Sequence, residues 1–267
     1  MERTPAGSRI LANRARFPTL TPMPTIDLNA ALGEGGTHDT ALIALASSAN
    51  IACGCHAGDE TTMRRAVEAC IARGAAIGAH PGYEDREHFG RIALNLPPAE
   101  VAESLKRQIG KLMEITRQAG AQVHHVKPHG ALYNQADRDP ALAAAVAAAV
   151  ASVLPGCCFY VPPSGALAAA GEAAGLRVRA EGFADRLYQP DGSLTPRAVK
   201  GAVIDDVATA VAQAMQIATR GEVVTSSGAR IPLRAETLCV HGDGGKAVEL
   251  LEAVRRALEA EGFTIRA

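Results

Sequence analysis

With 267 residues, 48% of them hydrophobic and 21% charged, the sequence has the size and composition of one folded unit, which excludes a wholly disordered chain. Lys plus Arg total 27 and Asp plus Glu total 28, a net charge of −1, so no basic field favours nucleic acid or an anionic membrane. No apolar run reaches the ~20 residues of a membrane-spanning helix. Trp is absent and aromatics are only 3%, which implies a core of Ala, Val, Leu and Ile and few stacking platforms for single-stranded nucleic acid. Cysteines at 53, 55, 70, 157, 158 and 239 form no C-x-x-C pair, and no secretory apolar segment is visible. Reduced thiols and a cytoplasmic location are the expectation.

In chain order, residues 1–22 set Arg3, Arg9, Arg14 and Arg16 against Glu2 and are broken by Pro5, Pro18 and Pro22. They read as an irregular extension over 1–23, ahead of one domain over 24–267. β-like runs follow at 25–30, 47–53, 75–80, 122–127, 157–161, 176–181 and 236–241. Helical stripes lie between most of them. Met63, Val67, Cys70 and Ile71 mark a helix that Asp59 caps and Gly74 ends. Val101, Leu105, Ile109 and Leu112 mark a longer helix near 98–118. Leu142, Val146 and Val150 mark a third, stopped by Pro155-Gly156. Val207, Val211 and Met215 lead to Gly221, and Leu251, Val254 and Leu258 to Gly262. Residues 222–233 read as a hairpin turning at Ser227-Gly228.

Strands alternating with helices predict a mostly parallel sheet, either open and doubly wound or closed. No G-x-G-x-x-G follows the first strand, which disfavours a dinucleotide site. Polar residues gather at strand C-terminal ends around the whole chain, as in a (β/α) barrel. A seven-stranded (β/α) barrel is therefore expected.

Those strand ends carry the candidate chemistry. Asp27, Asn29 and Ala31 share one face of the first strand, opposite Ile26, Leu28 and Ala30, and suit a polar barrel mouth. The plain alternative for Asp27 and Asn29 is turn capping. Glu34 follows in a permissive Gly-Glu-Gly-Gly loop. The second strand, with Asn50, leads to Cys53, Cys55 and His56. Thiolates and imidazole bind zinc, but C-x-C-H is not a standard zinc loop, so no metal ligand is assigned. The third strand ends at His80 and the fourth at Lys127 and His129, with His80 and Lys127 each held extended by the following proline. A lone His is usually a satisfied polar residue; several strand ends that each carry one point to a site. Asp185 and Arg186 follow the sixth strand, and adjacent charges of this kind usually form a surface ion pair. His241, Gly242, Asp243, Gly244, Gly245 and Lys246 follow the seventh and lead into a helix, where backbone N–H groups can hold an anion. The turn is not a Walker A loop.

IDLNAALGEG, SSANIACGCHAGD, IGAHPGYEDREHFGR, HVKPHGALYNQA, EGFADRLYQPDGSLTPR and CVHGDGGKA together resemble the LamB/YcsF family over residues 24–265. The resemblance implies a seven-stranded barrel like those of glycoside hydrolases and polysaccharide deacetylases. It also implies one component of an ATP-dependent 5-oxoprolinase, which converts 5-oxo-L-proline to L-glutamate beside two further subunits, using ATP with Mg²⁺ as its usual counter-ion. By motif, Asp27, Asn29, Glu34, Asn50, His56, His80, Lys127, His129, Asp185, Arg186, His241 and Asp243 fall on the family's polar strand-end positions. One departure stands out. The family motif usually reads Asn-Ala-Asp-Leu-Gly-Glu or Asn-Cys-Asp-Leu-Gly-Glu, and this chain has Ala31 at the Asp position. A smaller departure is Cys55 in place of the family's Phe.

The expected catalytic set is Asp27, Asn29, His56, His80, Lys127, His129, Asp185 and His241. Arg186 and the turn Gly242, Asp243, Gly244, Gly245 and Lys246 are the expected cofactor-binding groups. Phosphorylating the lactam oxygen makes a good leaving group, an Asp or His activates water, and Lys127 or Arg186 holds phosphate charge. Two alternatives remain: a metal-dependent deacetylase or amidohydrolase with Asp and His around zinc, and a scaffold protein that activates its partners. A homo-oligomer is left open.

Overall fold

Residues 23–267 are described by the computed structural model. The expected extension over 1–23 lies outside them, Met23 apart. The first half of the chain runs β1 (Thr25–Leu32), α1 (Asp39–Leu45), β2 (Ser48–Ala52), α2 (Glu60–Arg73), β3 (Ala76–His80), α3 (Pro98–Gln118), β4 (His125–Val126), α4 (Gly130–Ala136) and α5 (Pro140–Val153). The second half runs β5 (Cys158–Val161), α6 (Ala166–Ala173), β6 (Arg177–Phe183), α7 (Val207–Arg220), β7 (Glu222–Val224), β8 (Arg230–Pro232), β9 (Thr237–Val240), α8 (Ala247–Ala260) and β10 (Thr264–Ile265).

The strands β1-β2-β3-β4-β5-β6-β9 pair in parallel in that order. β9 then pairs with β1, from Asp27↔Thr237 to Ala30↔Val240, and closes the ring. This is the expected seven-stranded barrel. β10 adds only at the start of β1, Thr25↔Thr264 and Ile26↔Ile265. The hairpin predicted over 222–233 is the antiparallel pair β7–β8.

Local sequence sets the helix limits. Asp59 accepts a hydrogen bond from the Thr62 N–H at 2.8 Å and starts α2; Gly74, at φ 70°, ends it. Asp206 caps α7 through the Thr209 N–H, and Gly221 in the left-handed region stops it. The helices α1, α4 and α6 have no counterpart among the stripes read from sequence. They have 7, 7 and 8 residues, about two turns each, too short for a clear period, and α6 is mostly Ala. β4 is two residues long, shorter than the strand expected over 122–127.

Along β1 the alternation is strict. Ile26, Leu28, Ala30 and Leu32 are buried in the apolar core, to which the helices contribute residues such as Leu42, Leu251 and Val254. Each such aliphatic side chain contributes roughly 1.5–3 kcal/mol on burial. Asp27, Asn29 and Ala31 face the barrel interior. That interior is tightly filled. A Cβ on Gly78 would collide with the His125 ring across β3–β4, and that ring is stacked on Tyr160 with centroids 4.0 Å apart. Gly78→Ala is expected to destabilise by ~1–3 kcal/mol through overpacking. Thermal melts read this directly, and an unchanged midpoint would show that the ring yields.

Candidate active site

The barrel interior is polar and layered. At its floor Asp27 accepts from the hydroxyls of Ser47 (2.5 Å), Ser48 (2.7 Å) and Thr237 (2.6 Å). Asp27 is 5% exposed and does not line the cavity above. The expectation that it stands at the mouth is thereby corrected. Parity gave the face of β1, whereas depth follows from strand length, and Asp27 lies five residues before the strand's end.

The middle layer centres on Lys127. Its Nζ donates to Glu181 Oε1 at 2.6 Å, Cys239 Sγ at 3.1 Å and Asn29 Oδ1 at 3.3 Å. Asn29 Nδ2 donates to Glu181 (2.9 Å) and Thr237 (2.6 Å), Asn50 Nδ2 donates to Asn29 (2.8 Å), and His125 Nε2 meets Asn50 Oδ1 at 2.9 Å. Asn29 and Asn50 thus lie beneath the mouth and position Lys127. Burial alone would lower the Lys127 pKa, but the Glu181 carboxylate 2.6 Å away opposes this and the balance is upward. Burial pushes the Cys239 thiol up, so the sulfur is neutral and Glu181 supplies the countercharge.

Above this layer opens a cavity of about 610 Å³, within the range of small-molecule sites, at the strand C-terminal ends. Ala31, Glu34, His80, Lys127, His129 and His241 line it, together with Arg186 and Asp243. His56 stands behind His129, ring stacked on ring at 3.7 Å. The four strand-end histidines 56, 80, 129 and 241 therefore gather at one end of the barrel.

His241 Nδ1 lies 2.9 Å from Asp185 Oδ1, and its backbone N–H donates to Asp185 Oδ2 at 2.8 Å. Asp185 accepts the ring proton, which leaves Nε2 as the free, basic nitrogen. Burial opposes charge on Asp185, but His241 outweighs it and holds the carboxyl below its usual range. Burial lowers His241, with Asp185 opposing. The surface ion pair expected for Asp185 and Arg186 is not formed. Arg186 is buried and donates to the carbonyls of Thr195 (2.6 Å) and Ala202 (3.2 Å), and burial lowers it to about 10. Its guanidinium braces the loop after β6 while lining the cavity.

Within the turn before α8, Asp243 alone reaches the cavity lining; Gly242, Gly244, Gly245 and Lys246 do not. A Cβ on Gly242 would collide with the Ala31 carbonyl, so this glycine allows the ends of β9 and β1 to meet. Asp243 pairs with Arg91 at 2.5 Å and faces Arg197 at 4.0 Å. Burial opposes its charge, but Arg91 and Arg197 hold it at about 2.

Arg91, Arg197, Glu181 and Tyr133 are functional candidates that sequence reasoning missed. The Tyr133 hydroxyl and Glu181 Oε2 are buried without a hydrogen-bond partner. Glu181 and Phe183 share a strand face toward the interior, so parity along β6 was the signal for Glu181. Arg91 and Arg197 lie in loops without strand parity, and their signal was their place at the ends of two of the family motifs.

Burial comes first among the causes that hold His80, His125 and His129 well below the ordinary imidazole value. Their folded pKa is depressed, so the unfolded chain takes up protons first as pH falls through ~6.5. Stability from these rings is whole above that value and is lost as pH falls below it. The urea midpoint is therefore expected to fall steeply between about pH 7.5 and about pH 5.5. A flat midpoint would show that the folded chain protonates these rings freely.

A closed (β/α) barrel with a polar, histidine-lined mouth has the organisation of a small-molecule enzyme of the barrel class. The LamB/YcsF family model matches residues 26–267, and the chain belongs to that family. It is 47% identical over 248 residues to the 5-oxoprolinase A subunit of Methylococcus capsulatus, covering 91% of this chain and 95% of that one. It is 43% identical over 250 residues to the 5-oxoprolinase A subunit of Brevibacillus brevis, covering 92% and 98%. The crystal structure of lactam utilization protein from Thermus thermophilus superposes with a TM-score of 0.85 at 41% identity, covering 91% of this chain and 99% of that one. Among the described residues no helix is long and apolar enough to cross a membrane.

Proposed function

We propose that this chain is the A component of a cytoplasmic, ATP-dependent 5-oxoprolinase and opens the lactam of 5-oxo-L-proline to L-glutamate with partner subunits. The observation that carries the reading is near-full-length identity of 47% to a protein of that name. The cavity supports it with buried positive charge at Lys127 and a His241–Asp185 pair at the mouth.

A lactam is a resonance-stabilised amide, so ring opening needs activation. Transfer of the ATP γ-phosphoryl group to the lactam oxygen releases ADP and leaves an imidate-like carbon. Water adds to that carbon, the C–N bond breaks, and the nitrogen takes a proton. The acyl phosphate that results is hydrolysed to glutamate and phosphate. In this reading His241 Nε2 takes the water proton while Asp185 fixes the tautomer, the arrangement of a catalytic His–Asp pair. Lys127 faces the negative charge that develops on oxygen. The Tyr133 hydroxyl, beside the Glu181 carboxylate, can donate to that carboxylate or to a substrate oxygen. Arg91 and Arg197, beside the turn before α8, meet carboxylate or phosphate charge, including that of Mg²⁺–ATP if nucleotide binds on this chain.

The test is sustained glutamate release from 5-oxoproline with ATP, by the chain alone and with its co-expressed subunits. Turnover is expected only from the assembled complex. Full turnover by the isolated chain would refute the dependence on partners, and none from the complex would refute the reaction.

A further inference from the structure

Two imidazoles at the mouth present lone pairs to each other. His80 Nδ1 lies 2.8 Å from the Lys127 carbonyl, and His129 Nε2 lies 2.9 Å from the Phe89 carbonyl. A carbonyl only accepts, so each of these nitrogens carries the proton. In the neutral rings His80 Nε2 and His129 Nδ1 are then both bare acceptors, and they stand 3.0 Å apart. The Glu34 carboxylate faces the same point, with Oε1 3.8 Å from His129 Nδ1. One ligand atom from each of Glu34, His80 and His129 lies within 4.8 Å of the others. Three electron-pair donors turned on one point are held together by a shared cation, either a proton between the two rings or a metal ion, and burial disfavours the protonated rings.

The surroundings fit a metal rather than an accidental meeting. Metal-binding histidines characteristically donate their second ring N–H to a carbonyl or carboxylate, and both rings do so here. Phe89, which supplies one of those carbonyls, has φ 58°, the one left-handed non-glycine residue among those described. A bulky side chain is rarely held there, and such strain gathers at functional sites. His56 is 1% exposed, neither of its ring nitrogens has a partner, and its Nε2 stands 3.6 Å from Glu34 Oε1. It is an unsatisfied donor or acceptor aimed at the same carboxylate.

We propose that Glu34, His80 and His129 form a binding site for a divalent transition ion of the zinc class, with His56 in reach of its carboxylate ligand. Two imidazoles and one carboxylate are ligands that zinc accepts, and three protein ligands leave a position open. All three residues line the cavity, so the open position faces that cavity, where the proposed function places the substrate. Cys53, Cys55 and His56, the alternative set in the sequence, do not gather among the described residues. Cys53 instead lies in the apolar core and directs its thiol to the Ile51 carbonyl.

The site is tested on the full chain, stripped with chelator and then titrated with Co²⁺ and Zn²⁺. Co²⁺ is expected to saturate at one ion per chain, with visible ligand-field absorption, without a thiolate charge-transfer band, and with displacement by Zn²⁺. Glu34→Gln and His129→Gln, checked for folding by circular dichroism, are each expected to weaken binding by at least ~10-fold. Cys55→Ser is expected to change nothing. Nitrogen NMR of the wild-type rings supplies a readout that needs no variant: Zn²⁺ should shift His80 Nε2 and His129 Nδ1. No saturable binding, a thiolate band, binding unchanged in both ligand variants, or unshifted ring nitrogens would overturn the site. Because metal binding is read without turnover, a chain that binds no metal leaves the ring-opening reaction standing. A complex that binds metal but does not open the lactam refutes the reaction alone.

Discussion

Glu181→Gln is expected to lower the stability of the chain by ~3–5 kcal/mol and to cut turnover of the assembled enzyme by ~10²-fold or more. Lys127 and Glu181 are 4% and 1% exposed, and their charges meet at 2.6 Å inside the barrel. Two opposite charges in such a place offset their desolvation only together. With the carboxylate gone, the ammonium is left buried beside a neutral thiol, and burial then favours loss of its proton. The positive charge under the cavity would be weakened along with the fold. The double substitution Lys127→Met with Glu181→Gln separates the two effects. It removes both charges, so it should recover much of the stability while turnover stays lost. Urea unfolding of wild type and both variants, with turnover in the complex, measures this. A Glu181→Gln chain as stable as wild type would mean that water reaches the pair.

Ala31→Asp is expected to raise turnover by ~10²–10⁴-fold, the usual contribution of one acid–base partner. The family motif carries a carboxylate at this position. In the structure Ala31 lines the cavity, 6% exposed, one pleat repeat above Asn29. A carboxylate there would stand in the space shared by His80, Lys127, His129 and His241, able to take a proton from water or to pair with Lys127. The cavity has room for the larger side chain, so the melting temperature should change little. Wild type and the substitution are compared in 5-oxoproline turnover with matched partner subunits. Equal rates would show that the position has no part in the chemistry.

The linear order of residues by itself determined the barrel. Alternating β-like runs and helical stripes admit few right-handed parallel topologies, and the polar strand ends selected the closed one. It also determined local punctuation, such as Asp59 and Gly74 around α2, because a cap and a left-handed glycine act on their own helix. The face of each β1 side chain was legible for the same reason, as strand periodicity is a local property. Depth was not. Asp27, Asn29 and Ala31 share one face yet occupy floor, middle and mouth, since β1 runs on to Leu32, past the expected end at 30, and its length decides how far each residue lies from the rim. Partnerships across the barrel were equally hidden. Lys127 finds Glu181 through closure of the ring, and Arg91 finds Asp243 across 152 residues of chain. The tautomers of His80 and His129 depend on carbonyls that only the folded backbone brings to them. Residue identity and local period choose the elements. Only the closed tertiary structure, by removing water and fixing distances, decides which charges pair and which lone pairs are left facing one another.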